Sequence, residues 1–459
     1  MAPKQEKKEL PKKPRGMYDI LEDEYRVRAI FIEKTKAIAE FYGFKPIQTP
    51  HMEKLEMFTR AVGETTDIVE KEMYNVKIKG GEKLVLRPEG TAPIVRAYIE
   101  HGMQSKPQPV LLYYTGAFFR HEKPQKGRRR EHQQFGLEVL GESDSIIDAL
   151  IIKAFLTILD EAAGLKSVCV HLNSIGDKEC RKIYQKELLA FYRKKANQVC
   201  TDCSKRMKVN PLRLLDCKNE KCIEIKSEAP QIINYLCEDC KNHFKDLLEI
   251  LDSSNIPYYI DHYLVRGLDY YSRTAFEFFV ETEPEKTEEP VKKGGDTEGE
   301  EKKEKTDEKK EQPVQSAPLA LGGGGRYDML SNILGNKNIP GVGGAIGIDR
   351  IVEHMMETKK RSPTQKPNQA FFIQLGSGAK YKSLTVLEIL RKAKIKTSHS
   401  LNKNSLKSQL KIASKLKVPF ALILGQKEAL EDTIIVRNME SASQETIPIA
   451  KLSNYLKRQ

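Results

Sequence analysis

The spacing of apolar and polar residues changes several times along the chain, and each change marks an element. From Glu24 to Tyr42, the residues Phe31, Ile32, Ala37, Ile38 and Phe41 recur at helical spacing, and Gly43 follows as a natural C-cap. Phe44 to Thr49 then reads as a strand ending at Pro50. Val85 to Arg87 is a short strand. Pro88, Glu89, Gly90 and Thr91 turn the chain into a helix over Ala92–His101, which the Thr91 hydroxyl can cap. Tyr113–Phe119 and Gln134–Leu140 mix aromatic and β-branched residues with period two, which predicts an antiparallel hairpin. Ile146–Ala163 is helical, and further helical patterns run from Lys166 to about Leu251. Tyr258–Leu264 leads into Val265–Tyr271, and Phe276–Val280 continues as a strand.

Periodicity then stops. Glu281–Gln312 holds thirteen acids and eight bases, with Val291 as its only aliphatic residue. Such a segment cannot bury a core and is expected to be a flexible surface insertion between two strands. Met1–Pro14 is likewise polar and Lys-rich and is expected to be disordered. The pattern resumes at Leu319–Asp328, where Gly322 to Gly325 imply close backbone approach. Gly341–Arg350 is a small-residue strand running into a helix. Beyond a polar linker at Lys360–Pro367, the strands Ala370–Leu375, Phe420–Leu424 and Thr433–Val436 alternate with helical stretches. One of these, Ser405–Lys417, carries a stripe of Leu406, Leu410 and Ala413. This final α/β unit is about ninety residues long.

Charge sharpens the picture. The chain has 459 residues, a size that fits two to four domains, and a net charge of +13. The segment Glu281–Gln312 contributes −5 (8 bases less 13 acids), so the remainder carries +18. Arg391–Val418 has nine Lys or Arg and no acid, either a solvated basic face or, as its one-sidedness favours, an RNA-phosphate surface. No run of eighteen apolar residues occurs, so a cytoplasmic protein without a membrane span or signal peptide is expected. Six of the eight cysteines cluster, as Cys200-x2-Cys203, Cys217-x4-Cys222 and Cys237-x2-Cys240. Four of the six could hold a structural Zn2+, without the spacing saying which four, or all could be reduced thiols.

The densest chemistry lies in the hairpin. Its loop carries Lys123, Lys126, Arg128, Arg129 and Arg130, and Arg120 stands where the first strand opens into it. A fixed guanidinium there can hold a phosphate through paired hydrogen bonds. On the returning strand Gln134, Gly136 and Glu138 share one face, and a buried Glu needs a partner that a cationic ligand would supply. Taken alone, the hairpin also fits a surface element with solvated charges.

The motifs F-R-H-E (119–122), P-Q-K-G-R (124–128) and Q-F-G-L-E (134–138) resemble motif 2 of the histidyl-tRNA synthetase family. L-R-P-E-G-T-A (86–92), L-V-R-G-L-D-Y-Y (264–271) and G-G-R-Y-D (324–328) agree with it, and Gly341–Arg350 resembles motif 3 with Asp349 in place of the usual Glu. The resemblance implies a class II α+β catalytic domain, an antiparallel sheet flanked by helices, over 15–165 and 252–358, interrupted at 281–318. It further implies a helical insertion domain over 166–251 and an α/β anticodon-binding domain over 368–459. The helix and strand before Pro50 resemble motif 1 and imply a homodimer.

In such an enzyme ATP with Mg2+ activates L-histidine, which then passes to tRNA(His). The resemblance assigns catalysis to Arg266, Arg120 and Arg350. It assigns histidine binding to Glu89, Thr91, Gln134, Glu138, Tyr270 and Tyr271. ATP falls to Arg120, Glu122, His132 and Arg350, with His132 where an aromatic residue usually stacks on adenine. The tRNA acceptor end falls to Gln125, Arg128 and Arg129. A synthetase-like regulatory subunit of ATP phosphoribosyltransferase is the alternative, although the three arginines and the basic C-terminal unit argue against it.

Overall fold

The computed structural model describes residues 10–64, 66–123, 127–280, 320–335, 338–358 and 368–458. Gln125, the segment 281–319, most of the N-terminal tail and the linker 359–367 lie outside them. The chain forms two compact units, Met1–Lys360 and Arg361–Gln459. No helix among the described residues is long and apolar enough to cross a membrane.

The first unit is built on an eight-stranded sheet. Its spatial order is Lys45–Pro46, Val110–Phe119, Glu131–Leu140, Gly341–Gly347, Ala320–Arg326, Ser272–Val280, Val168–Ser174 and Tyr258–Ile260. The outermost pair at each end is parallel and every other pair antiparallel. The hairpin pairs over its full length, from Val110 with Leu140 to Phe119 with Glu131. Its side chains alternate between two cores: Leu112, Tyr114 and Phe118 enter one, Tyr113, Phe135, Leu137 and Val139 the other.

Three elements differ from the sequence pattern. The first helix, Glu22–Phe41, buries Arg28, Phe31, Thr35 and Ala39, while Phe41 is 85% exposed and Ala37 faces solvent. Thr35 can occupy the seam because its hydroxyl donates to the Phe31 carbonyl at 2.7 Å, so a polar residue type packs in an apolar seam. The strand expected over 44–49 shrinks to Lys45–Pro46. Val168–Ser174, within the stretch read as helical, is a strand of the large sheet, as its V-C-V-H-L alternation allows. The helical insertion therefore starts later, as Lys178–Lys194, Thr201–Val209, Glu220–Ser227 and Glu238–Ser253.

The second unit has five strands in the order Thr397–His399, Ala370–Gln374, Phe420–Leu424, Thr433–Asn438 and Gln444–Pro448. The first three run parallel and the last two join antiparallel. On Leu406–Lys415 the buried residues are Gln409 and Ala413, whereas Leu406 is 38% exposed. Gln409 tolerates burial because its amide donates to the Gln374 and Lys403 carbonyls, both at 2.9 Å.

Candidate active site

The hairpin, the helix start at Thr91, the loop 266–271 and the glycine strands enclose a cleft of about 230 Å3. Its floor is the strand pair Ala320–Arg326 and Gly341–Gly347, in which Gly323 faces Ala345 and Gly325 faces Gly343. A Cβ at Gly343 would collide with the Glu138 carboxylate, and one at Gly323 with the Phe276 carbonyl and Arg266. Glycine is needed there because the backbone itself is the surface.

Three arginines rim the cleft. Arg120 Nε donates to the Pro88 carbonyl at 2.9 Å, which fixes the guanidinium over the turn before the Thr91–Glu100 helix. Arg350, in the first turn of Ile348–Glu357, donates from Nε to the Gly127 carbonyl at 2.7 Å and from Nη1 to the Ala320 carbonyl at 2.6 Å. Burial first, and then the neighbouring Arg128, lower the pKa of Arg350. Such cations facing one another await an anion. Arg266 reaches Glu277 at 3.5 Å and lies 5.7 Å over the Tyr271 ring; its buried Nε has no hydrogen-bond partner among the described residues. His132 also lines the cleft, its pKa lowered to about 3 by burial and then by Arg120 and Arg350. The imidazole is thus neutral at physiological pH and presents an aromatic face.

Beside the cleft lies a buried carboxyl. Glu138 is fully buried, and accepts hydrogen bonds from the hydroxyls of Thr91 (2.8 Å), Tyr114 (3.4 Å) and Tyr327 (2.5 Å). Burial raises its pKa to about 8, against the lowering effect of those donors. Thr91 therefore does not cap its helix. That task falls to Glu89, whose two oxygens accept from the Thr91 and Ala92 amides at 2.7 and 3.0 Å. Tyr270 donates to the same Glu89 carboxylate at 3.1 Å. Gln134 and Tyr271 line the cleft close by.

Tyr327 lies in G-G-R-Y-D, but no local pattern of the sequence marks it as a partner of Glu138. Its neighbour Arg326 is committed elsewhere, with Nε on Asp148 at 2.8 Å, 0% exposed. In the hairpin loop Arg128 pairs with Glu122 at 3.1 Å and remains partly open. Arg129, expected at the tRNA acceptor end, is instead drawn inward to Glu353 at 2.7 Å and Asp349 at 3.3 Å, with its side chain 12% exposed. Asp349 is a hub: it also accepts from Arg28 at 2.6 Å and from the Gln133 amide at 2.6 Å. The shorter acid at this position fits because three donors converge on it.

The six clustered cysteines separate in space. Cys200, Cys203, Cys217 and Cys222 bring their sulfurs within 4.8 Å of one another, while Cys237 and Cys240 lie elsewhere, beside Asp177 and Cys180.

An antiparallel sheet whose hairpin carries one arginine, and whose last strand runs into a helix bearing another across the cleft, defines the catalytic body of a class II aminoacyl-tRNA synthetase. The family model for histidyl-tRNA synthetase matches residues 16–298, and that for the anticodon binding domain matches 369–459. The chain belongs to the histidyl-tRNA synthetase family. It is 39% identical to a histidine–tRNA ligase of Natranaerobius thermophilus, over 98% of this chain and 99% of that one. A histidine–tRNA ligase of Dehalococcoides mccartyi is also 39% identical, over 97% and 99%. The crystal structure of apo S. aureus histidyl-tRNA synthetase superposes with a TM-score of 0.74 at 31% identity, covering 98% of this chain and 100% of that one. A Bacillus halodurans structure described as an ATP phosphoribosyltransferase regulatory subunit/histidyl-tRNA synthetase shares the fold at 18% identity, with a TM-score of 0.59 over 90% and 98%.

Proposed function

We propose that this chain activates L-histidine with ATP and transfers it to tRNA(His), the reaction named for its full-length relatives. The observation that carries the amino-acid assignment is the buried Glu138 carboxyl, framed by three hydroxyls beside an arginine-rimmed cleft. A carboxyl that is neutral when the pocket is empty can meet an imidazole by sharing its proton, an option that an apolar or anionic side chain does not offer.

The substrate carboxylate attacks the α-phosphorus of ATP, pyrophosphate leaves, and a histidyl-adenylate remains. Arg120 takes the α-phosphate and Arg350 the γ-phosphate, while Arg266 meets charge developing on the attacked phosphate and the carboxylate. Because both outer guanidiniums are already tied to carbonyls, little side-chain entropy is lost on binding. Glu122 and Glu277, carboxylates that line the cleft, would hold a Mg2+ bound with ATP, which would screen the phosphate charge. His132 stacks on adenine as a neutral ring. Glu138, Tyr271 and Tyr327 address the imidazole, and Glu89, Thr91, Gln134 and Tyr270 address the ammonium end. Arg128 and Gln125 contact the tRNA acceptor end, and the C-terminal unit the anticodon arm.

The exposed Leu21, Tyr25 and Phe41 around the first helix support a homodimer. The thiol set Cys200, Cys203, Cys217 and Cys222 fits a structural Zn2+, since four sulfurs within 4.8 Å of one another can supply all four ligands of that borderline-soft cation. ATP, tRNA and reduced thiols are consistent with the cytoplasm. The decisive experiment is ATP–pyrophosphate exchange with each amino acid in turn, followed by charging of tRNA(His). Exchange with histidine alone is expected; exchange without histidine dependence rejects the reading. A monomer in sedimentation counts against the dimer, and zinc-free active protein against the metal.

A further inference from the structure

Cys237 and Cys240, left outside the four-cysteine cluster, meet two residues from a distant part of the chain. Asp177 is the N-cap of Lys178–Lys194, and Cys180 is its third helical residue. Cys237 is the N-cap of Glu238–Ser253, and Cys240 is its third helical residue. The same cap-to-third spacing is thus used twice, and the two helix starts converge. One ligand atom from each of the four residues lies within 4.8 Å of all the others. Cys180 and Cys240 are buried, at 1% and 0% exposure.

We propose that Asp177, Cys180, Cys237 and Cys240 form a second metal site, a tetrahedral Zn2+ centre of three thiolates and one carboxylate. The geometry supports it in three ways. With Zn–S about 2.3 Å and Zn–O about 2.0 Å, a tetrahedron has S···S edges of about 3.8 Å and S···O edges of about 3.5 Å. The Cys237 sulfur lies 3.5 Å from Asp177 Oδ2, the S···O edge of such a tetrahedron; in the first cluster, Cys200 and Cys217 show the S···S edge at 3.8 Å. The Asp177 carboxylate also divides its labour. Oδ1 accepts the Glu179 and Cys180 amides, both at 2.9 Å, which leaves Oδ2 turned toward the sulfurs. The Cys237 amide donates to the Cys180 sulfur at 3.1 Å, the kind of supporting contact that orients and stabilises a thiolate ligand. The first cluster repeats it, the Cys200 amide donating to the Cys222 sulfur at 3.3 Å.

Charge and ligand type agree. Three thiolates and a carboxylate around Zn2+ leave a net −2, placed against two helix N-termini whose dipoles favour negative charge. A sulfur-rich set selects zinc over magnesium or calcium. The position has a consequence for the active site. Next to Cys180, Arg181 donates to the carbonyls of Asp269 (3.3 Å) and Tyr271 (3.0 Å). Arg273 and Ile175 close the junction, with Arg273 N on the Gly176 carbonyl at 2.8 Å and Ile175 N on the Arg273 carbonyl at 2.7 Å. The ion ties the first and last helices of the insertion together at the point where they brace the loop bearing Arg266, Tyr270 and Tyr271.

The test is metal analysis of the full chain purified without chelator. Two zinc atoms per chain are expected, falling to one in Cys240→Ala, to one in Cys203→Ala and to none in the double variant. Should Cys240→Ala not fold, two milder changes serve: Cys237→Ser at an exposed position, and Asp177→Asn, which keeps a capping oxygen while removing the anionic ligand. Either should give protein from which one zinc is stripped by a chelator that leaves the other in place. With Co2+ as probe, the thiolate-to-metal absorption should correspond to seven sulfurs in the native chain and to four in Cys240→Ala. One zinc that survives Cys240→Ala and Cys237→Ser but is lost in Cys203→Ala overturns the second site and leaves the first standing. One zinc with the opposite pattern supports the second site and removes the first. Metal-free protein removes both.

Discussion

Replacing Tyr327 by Phe removes one hydroxyl and little else. The ring packs edge-on against Tyr270 with centroids 6.0 Å apart, a contact that Phe retains. What is lost is the 2.5 Å hydrogen bond to Glu138 Oε2, the shortest of the three that reach this fully buried carboxyl. In the empty pocket Glu138 is neutral up to about pH 8, so there the bond is an ordinary one between neutral groups, worth about 1 kcal/mol. Once an imidazole shares the proton, the carboxylate becomes anionic and the same hydroxyl supports a charge, worth about 1.5–3 kcal/mol. The difference falls on histidine binding. The KM for histidine in pyrophosphate exchange should rise on the order of tenfold, while the KM for ATP stays within twofold, because Arg120 and Arg350 do not touch this group. Thermal stability should change little. A folded Tyr327→Phe protein with an unaltered histidine KM, or with both KM values raised equally, refutes the pairing of Glu138 with the imidazole.

Three further outcomes follow from the same geometry. Arg266→Ala should fold normally, since its only ion-pair partner among the described residues is Glu277 at 3.5 Å, yet lose about a hundredfold or more in kcat with smaller changes in KM; unchanged exchange refutes its role at the α-phosphate. The Glu138 carboxyl ionises near 4.5 when unfolded and near 8 when folded, so the folded state holds the extra proton between those values and this group's contribution to stability falls as pH rises through that window. The histidine KM should be lowest between the free imidazole pKa of about 6.5 and about pH 8, and climb about tenfold per unit above it. A flat profile from pH 7 to 9.5, or one unaltered by Glu138→Gln, counts against this assignment.

The sequence made the hairpin, the glycine strands and the three arginines legible because each is a local pattern: alternation, a run of one residue type, or a charge at a strand end. What escaped it depends on contacts between distant segments. Arg129 reads as one more loop cation until Glu353 and Asp349, more than two hundred residues later, draw it inward. Thr91 fits a helix cap by type, yet Glu89 takes the amides and frees the hydroxyl for Glu138. Tyr327 gains meaning only when the sheet brings it to Glu138, and Asp177 only when two helix starts converge and bring it to Cys237. On the first helix, Thr35 and Arg28 occupy a seam that an apolar pattern assigns to Ala37 and Phe41.

The glycine floor bears on inhibition. An inhibitor lying on Gly322, Gly323 and Gly344 would draw its contacts from atoms common to every residue type. A point mutation there could weaken it only by adding bulk, and the added Cβ would meet backbone of the paired strand before it met the drug. Escape variants should therefore arise at the rim, among side chains such as His132 and Gln134, and a compound that relies on the floor more than the rim leaves the cell few single-step routes to resistance.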